Sequence, residues 1–113
     1  MPWLNYLYYK NSEQDNKRGL GFSRWGGRGD QKYPIHFSGD LNSSWETLMF
    51  EVPFTTYSGN VGCFFWAHDL GGFYGKRNPE QFARWMQFGL TNATFRIHST
   101  EEDLDRRPWF LGR

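Results

Sequence analysis

Two apolar segments of this chain each end in a carboxylate. One runs from Tyr33 to Asp40, and the other runs from Val61 to Asp69 and continues into two glycines. A carboxylate at the carboxyl end of a buried strand is where α/β barrels carry their chemistry. Two carboxylates that face one crevice could act as an acid and a base, or as an acid and a nucleophile, in glycoside hydrolysis.

Aromatic side chains lie close to both carboxylates in the sequence, namely Phe37, Trp66 and Phe73. Such rings suit a sugar, whose C–H faces pack on flat apolar surfaces. Partial burial would favour the protonated form of Asp40, which a general acid needs. Simpler interpretations remain open, because Asp40 could cap the next helix and Asp69 could belong to a turn before the glycines.

Strand-like and helix-like segments alternate along the chain. Four segments have strand-like patterns: residues 19–25, 33–38, 61–66 and 94–97. With the intervening helices, this order predicts an α/β fold with parallel strands and right-handed crossovers. Arg24, Asp40, Asp69 and His98 would then follow the four strands and gather on one rim, the ligand-binding face of such a fold. Polar residues also follow strands simply because loops begin there.

Two helices are predicted between these strands. Ser43 and Glu46 have the spacing of a capping box, which starts a helix near Ser44. Its apolar face would contain Trp45, Leu48, Met49 and Val52, and Pro53 should disturb it. Asn78 and Pro79 start the second helix. Its apolar face would contain Phe82, Trp85, Met86 and Gly89. The continuous apolar run 61–66 predicts a strand that is buried on both faces.

Composition excludes several classes of protein. A chain of 113 residues is at most one ordinary domain, and 20% of the residues are aromatic. A net charge of +1 gives no electrostatic reason to bind nucleic acid or an acidic membrane surface. No apolar run approaches the roughly 18 residues that a membrane span needs. The first residues contain no recognisable signal peptide, which leaves the compartment open.

Cysteine and histidine usage argues against disulfides and metals. Cys63 is the single cysteine, so no internal disulfide framework is possible, and an inert buried thiol is expected. His36, His68 and His98 do not have metal-ligand spacing. We therefore expect neither a metal nor another cofactor. The charged tail, residues 101–107, is expected to be solvated.

The two carboxylate segments resemble motifs of glycoside hydrolase family 31, which contains α-glucosidases and α-xylosidases. Phe37-Ser38-Gly39-Asp40, followed by Ser44-Trp45, resembles the acid/base segment of this family. The stretch Val61–Phe73 resembles its later strand and loop with the pattern W-HD-GGF. Further matches occur in family order at Leu4-Asn5, Phe22–Arg24, Arg84-Trp85, Gln87–Gly89, Phe95-Arg96 and His98-Ser99. The resemblance therefore covers nearly the whole chain.

The resemblance implies a role for each candidate residue. Asp40 falls on the general acid/base, and Asp69 falls on a carboxylate that hydrogen-bonds sugar hydroxyls rather than on the nucleophile. The remaining substrate-binding positions are Arg24, Phe37, Phe73 and His98. Family members often have Trp at the Phe37 position, so the substrate preference stays open. The resemblance thus replaces the first interpretation of Asp40 and Asp69 as the catalytic couple.

The resemblance also implies a missing part. A retaining family needs an aspartate nucleophile on an earlier strand, and Asp15, which lies in a polar loop, has no such setting. Residues 1–113 are expected to form the second half of a (β/α)₈ TIM barrel, without the nucleophile-bearing half and flanking β domains. The missing half would be needed to close the barrel. Alone, the chain should be marginally stable and inactive, with open strand edges.

The implied function is a retaining hydrolase of terminal α-linked sugars, of the α-glucosidase or α-xylosidase type. Its partner would be an oligosaccharide or another α-glycoside. Two alternatives stay open. One is a non-catalytic module that stacks on sugars, and the other is an interaction protein that reuses part of a barrel. Neither the glycone nor the linkage follows from the sequence.

Overall fold

A computed structural model describes residues 2–24, 26–100, 106–107 and 109. Within these residues, three α-helices and two short β-strands form the regular structure, with one 3₁₀ turn before the first strand. In chain order they are α1 (Pro2–Ser12), the 3₁₀ turn (Asp30–Lys32), β1 (His36–Phe37), α2 (Trp45–Asn60), β2 (Trp66–Ala67) and α3 (Pro79–Gly89).

The extended segments are parallel, as the sequence predicts. β1 pairs with β2 in parallel register, with His36 opposite Trp66. Two flanking segments extend this pair through single parallel bridges, Ser23 with His36 and Ala67 with Thr94. The order in space therefore follows the order in the chain. The ladders are much shorter than predicted, and residues around Ser23 and Thr94 contribute only these bridges.

The prediction of a buried strand over residues 61–66 is wrong. Gly62 has φ of +91°, and the N–H of Cys63 donates to Ser58 O at 2.9 Å. This is the Schellman closure of α2, so the first residues of the apolar run belong to a helix end and cannot join the sheet. Phe64 and Phe65 are 72% and 56% exposed, and the strand begins only at Trp66.

Cys63 lies in this connection and not in a strand. The thiol is half-buried rather than fully enclosed. Burial, with a further contribution from the negative charge of Asp30, raises the pKa of the Cys63 thiol. The thiol is therefore protonated at neutral pH, which agrees with the expectation of an inert side chain.

Helix α2 begins and ends differently from the prediction. The N-cap is Ser44, whose hydroxyl accepts from the Thr47 N–H at 3.1 Å, one residue later than the capping box predicts. Pro53 lies inside the helix without ending it, and the helix continues to Asn60. Pro53 is exposed, so the backbone carbonyl that loses its partner there can be hydrated instead.

The buried face of α2 also differs from the predicted apolar face. Leu48 is buried as expected, but Trp45, Met49 and Val52 are exposed. The other buried positions are Glu51 and Ser58, which are polar. An apolar pattern could not find this face, because two of its three buried residues are not apolar.

Helix α3 confirms the prediction. The Asn78 side chain caps it by accepting from the Gln81 N–H at 3.1 Å, and Pro79 occupies the first turn. Phe82, Trp85 and Gly89 are buried, and Met86 is half-buried. The apolar core is built on this face and contains Leu48, Leu70 and Trp85, with Met86 and Phe88 packed against them.

Helix α1 has no counterpart among the predicted elements. Its aromatic rings are scattered around the helix, so no apolar face marks it in the sequence; Trp3 is 66% and Tyr8 71% exposed. It is tied to the following segment because the Leu20 N–H donates to Ser12 Oγ at 2.7 Å. At the other end of the chain, residues 101–105 of the predicted solvated tail lie outside the described residues, whereas Arg106 is 1% exposed.

Candidate active site

Asp40 follows β1 and pairs with a cation from the neighbouring segment. Arg24 Nη1 lies 2.7 Å from Asp40 Oδ2, and both side chains are partly exposed. Arg24 comes directly after Ser23, which bridges to β1, so the parallel pairing brings the two residues to the same rim. Asp40 is partly buried, as the sequence suggests, and it also lies in an ion pair that the sequence does not predict.

Asp69 follows β2 and is almost completely buried, with 1% exposure. The guanidinium of Arg96 donates to its Oδ1. Its other oxygen, Oδ2, has no hydrogen-bond partner among the described residues. This oxygen needs a donor, but the described residues cover it, so a ligand hydroxyl would reach it only after a local shift of the rim.

Arg96 is the site residue that the sequence reasoning misses. Its guanidinium carbon lies 5.0 Å from the Phe22 ring centre and 4.7 Å from the Phe37 ring centre. Those two rings stack on each other with centres 4.9 Å apart. Burial lowers the pKa of Arg96, and the charge of Asp40 raises it. Arg96 therefore interacts with both rim carboxylates, with Asp69 through a hydrogen bond and with Asp40 through charge. The sequence feature that could have identified Arg96 is its position, a cation two residues before His98.

His98 and Phe73 meet on the same rim. Their rings are stacked with centres 4.8 Å apart. Burial and then the positive charge of Arg96 lower the pKa of His98, while Asp40 opposes this effect. His98 is therefore neutral at pH 7 and can donate from one ring nitrogen and accept at the other.

The loops after β1 and β2 touch each other, which fixes the position of Phe73. The Phe73 N–H donates to Leu41 O at 2.7 Å. Gly72 has φ of +83°, and a Cβ atom there would lie 2.5 Å from the Ser43 N atom. Only glycine permits both the backbone conformation and this close approach of the two loops.

A cavity of about 580 Å³ opens beside Arg24 and Asp40. One wall is the inner face of α1, with Leu4, Asn5 and Tyr8, and the opposite wall is the segment 20–24. The size lies in the range of ligand sites. Arg24 and Asp40 are among its lining residues, so this space adjoins the candidate acid/base.

The described residues form neither a candidate metal site nor a membrane-spanning helix. Among the described residues, no three side chains of His, Cys, Asp or Glu are grouped so that they could hold a metal ion. Within those residues, no helix has the length and apolar character to cross a membrane.

The sequence matches known glycosidases over most of its length. The chain is 39% identical over 93 residues to an "Alpha-xylosidase" of Emericella nidulans, which covers 82% of this chain and 12% of that protein. It is 34% identical over 83 residues to the human "Neutral alpha-glucosidase AB", which covers 74% of this chain and 9% of that protein. The chain therefore spans about an eighth or less of the length of these relatives.

Solved structures show the same similarity. The cycloalternan-forming enzyme from Listeria monocytogenes, solved with a pentasaccharide substrate, has a TM-score of 0.87 and 25% identity and covers 97% of this chain and 11% of that one. The cycloalternan-degrading enzyme from Trueperella pyogenes, solved with a covalent intermediate, has a TM-score of 0.86 and 26% identity and covers 95% of this chain and 16% of that one.

The family model that matches is the glycosyl hydrolases family 31 TIM-barrel domain, over residues 2–113. The parallel segments and the clustered rim residues agree with such a domain. This chain belongs to glycosyl hydrolase family 31 and has the fold of its TIM-barrel domain.

Proposed function

We propose that this chain supplies the acid/base residue and part of the glycone-binding site of a retaining α-glycoside hydrolase. The observation that carries the proposal is the rim on which the Arg24–Asp40 pair and the buried Asp69–Arg96 pair lie together. The matched relatives are named as α-glucosidases and an α-xylosidase, which supports an α-linked sugar as substrate.

Asp40 is the proposed acid/base residue. A carboxylate nucleophile attacks the anomeric carbon, the bond to the leaving oxygen breaks, and Asp40 gives its proton to that oxygen. Asp40 then accepts a proton from water as the water oxygen attacks the anomeric carbon and releases the nucleophile. Arg24 Nη1, 2.7 Å from Asp40 Oδ2, donates a charge-assisted hydrogen bond that orients the carboxylate between the two steps.

Asp69 and its neighbours are the proposed glycone-binding residues. The unpaired Oδ2 of Asp69 would accept a hydrogen bond from a sugar hydroxyl, and Arg96 holds the other oxygen in place. His98 in its neutral form offers a donor and an acceptor to neighbouring hydroxyls. One face of Phe37 is stacked on Phe22 and one face of Phe73 is stacked on His98, so the sugar would pack against the opposite faces.

The nucleophile is proposed to come from outside residues 1–113. Within the described part of the chain, Asp15 lies in a turn between Gln14 and Lys17, which does not lead to the rim. The four parallel segments would form the second half of a TIM barrel. A right-handed crossover through α1 would put the preceding strand along residues 20–24, inside the cavity that ends at Arg24 and Asp40. That position suits a nucleophile, which retaining glycosidases hold about 5 Å from the acid/base.

A chimeric enzyme tests this proposal. Residues 2–113 replace the matching segment of the Emericella nidulans α-xylosidase, and hydrolysis of nitrophenyl α-xyloside and α-glucoside is measured. We expect the chimera to hydrolyse these substrates. The Asp40→Asn variant should lose this activity on substrates with poor leaving groups, which need a general acid. With a dinitrophenyl leaving group, azide should restore turnover of Asp40→Asn by forming the glycosyl azide, because azide needs no general base.

The control is Asp15→Asn in the same chimera, which removes a carboxylate distant from the rim and should leave turnover unchanged. A folded chimera that binds sugars but never hydrolyses them would overturn the catalytic proposal and favour a sugar-stacking module. Asp40→Asn with normal turnover, or a loss that azide does not reverse, would overturn the role of Asp40.

A further inference from the structure

A buried polar cluster lies directly behind the rim. It contains Glu51 and Thr55 of α2, Ser38 after β1 and His68 after β2. His68 Nδ1 lies 2.8 Å from Glu51 Oε2 and 2.9 Å from Ser38 Oγ, and its Nε2 lies 2.7 Å from Thr55 Oγ1. The side chains of Glu51 and His68 are both completely buried.

The contact between Glu51 and His68 is electrostatic. Neither Glu51 oxygen has a hydrogen-bond partner among the described residues, so the carboxylate lies at ion-pair distance but off the direction of the ring N–H. A buried carboxylate is costly unless an adjoining group compensates its charge. His68 is the ionisable group that adjoins Glu51, and three aromatic rings surround it on the other sides: Trp66, Trp85 and Phe88.

The cluster joins the two strand ends that carry the rim carboxylates. Ser38 is two residues before Asp40, and His68 is directly before Asp69. The Ser38 N–H also donates to Ala67 O at 3.2 Å, so the side-chain contact adds to a backbone contact between the same segments. Both ring nitrogens of His68 have a hydroxyl partner, so a rotated ring or a shifted strand end would leave a buried polar atom unpaired.

We propose that Glu51 and His68 are positioning residues that fix the placement of Asp40 relative to Asp69. The ring of His68 holds the β1 end through Ser38, and Glu51 holds the ring from α2. Neither residue touches the substrate in this arrangement. This inference rests on the proposed function, because the distance between the two carboxylates matters only if Asp40 and Asp69 act on the same sugar. A misplacement of about 1 Å can cost a hundredfold in rate.

The first experiment needs no activity and uses the 113-residue chain with the exposed-surface changes Met49→Lys and Phe64→Lys, which should keep it from associating. Backbone amide and side-chain carboxyl NMR shifts are compared between the parent chain, Glu51→Gln and a matched control, Glu46→Gln, which changes an exposed glutamate of the same helix. We expect Glu51→Gln to shift the resonances of residues 38–40 and 68–69, including both rim carboxyl carbons. Shifts confined to α2, or equal shifts in both variants, would overturn the proposal.

The second experiment uses the chimera described above and separates the two ring nitrogens of His68. An Asn side chain puts its amide donor near the Nδ1 position, whereas a Gln side chain puts it near the Nε2 position. We expect His68→Gln to lower kcat on the order of tenfold to a hundredfold with little change in KM, and His68→Asn to keep most of the activity. A merely structural role would not favour Asn over Gln.

The outcomes of the two experiments are separate. If the parent chimera is inactive, the proposed function fails, and the NMR comparison still decides whether Glu51 acts on both strand ends. If the chimera is active but His68→Asn and His68→Gln lose activity equally, or lose it through KM, the positioning role is wrong while the proposed function stands.

Discussion

Arg24 Nη1 lies 2.7 Å from Asp40 Oδ2, and neither side chain is buried. Exposed ion pairs add about 1 kcal/mol or less to stability. We therefore expect Arg24→Ala to change the unfolding free energy of the chain by no more than this amount. In the chimera it should lower kcat/KM about tenfold to a hundredfold, the value of a lost charge-assisted hydrogen bond.

The matched control for Arg24 is Lys10→Ala. Lys10 pairs with Glu13 at 2.9 Å on the protein surface, and the hydrogen bond to Glu13, followed by the charge of Glu13, raises the pKa of Lys10. Chemical denaturation gives the unfolding free energy of both variants of the chain, and initial rates give kcat/KM of both variants of the chimera. Equal rates for Arg24→Ala and Lys10→Ala would show that the ion pair at the rim has no functional role.

Two helical glycines should respond to alanine in opposite directions. At Gly59, near the end of α2, a Cβ atom would meet nothing within 4 Å, and alanine should stabilise the chain by about 0.5–1 kcal/mol. At Gly89 in α3, the Cβ atom would lie 2.6 Å from Leu70 Cδ1, so alanine overpacks the core and should cost about 1–3 kcal/mol. Thermal melting of both variants tests this, and the same sign for the two changes would contradict it.

His36 should make stability depend on pH. The side chain is 4% exposed, and burial lowers its pKa while Asp30 opposes this effect. The unfolded chain therefore binds more protons than the folded chain below about pH 6.5, so stability falls as the pH falls from 6.5 towards the folded-state pKa. Between pH 7.5 and pH 5.5, we expect the melting temperature of His36→Gln to fall less than that of the parent chain. Identical losses in both proteins would contradict the assignment to His36.

Large exposed apolar side chains should make the isolated chain associate. Met49 is 67%, Phe64 72% and Leu90 77% exposed. Exposed apolar area of this kind favours association. We expect sedimentation at increasing concentration to show oligomers, which Met49→Lys and Phe64→Lys should reduce. A monomer at all concentrations, with one sharp cooperative melt, would contradict this expectation.

The isolated chain should not hydrolyse nitrophenyl α-glycosides. Without a nucleophile from outside residues 1–113, the covalent glycosyl-enzyme cannot form. The measurement is nitrophenol release by the purified chain, with the chimera as positive control. If the isolated chain released nitrophenol and Asp40→Ala abolished that release, the proposal that the nucleophile lies outside residues 1–113 would be contradicted.

The sequence by itself determined the features that depend on near neighbours. Asn78 and Pro79 start α3 as predicted, because a capping side chain needs only the N–H groups three residues on. The parallel order of the extended segments also follows from the sequence, since alternating strands and helices permit few topologies. That order is enough to bring the Arg24–Asp40 pair to one rim.

Tertiary structure alone decided which apolar and polar side chains became buried. Phe64 and Phe65 look like a buried strand, yet the Schellman closure at Gly62 leaves them exposed. Glu51 looks like a surface residue of an amphipathic helix, yet it is completely buried beside His68, which is 17 positions along the chain. Burial depends on partners that are distant in sequence, and one-dimensional periodicity contains no information about them.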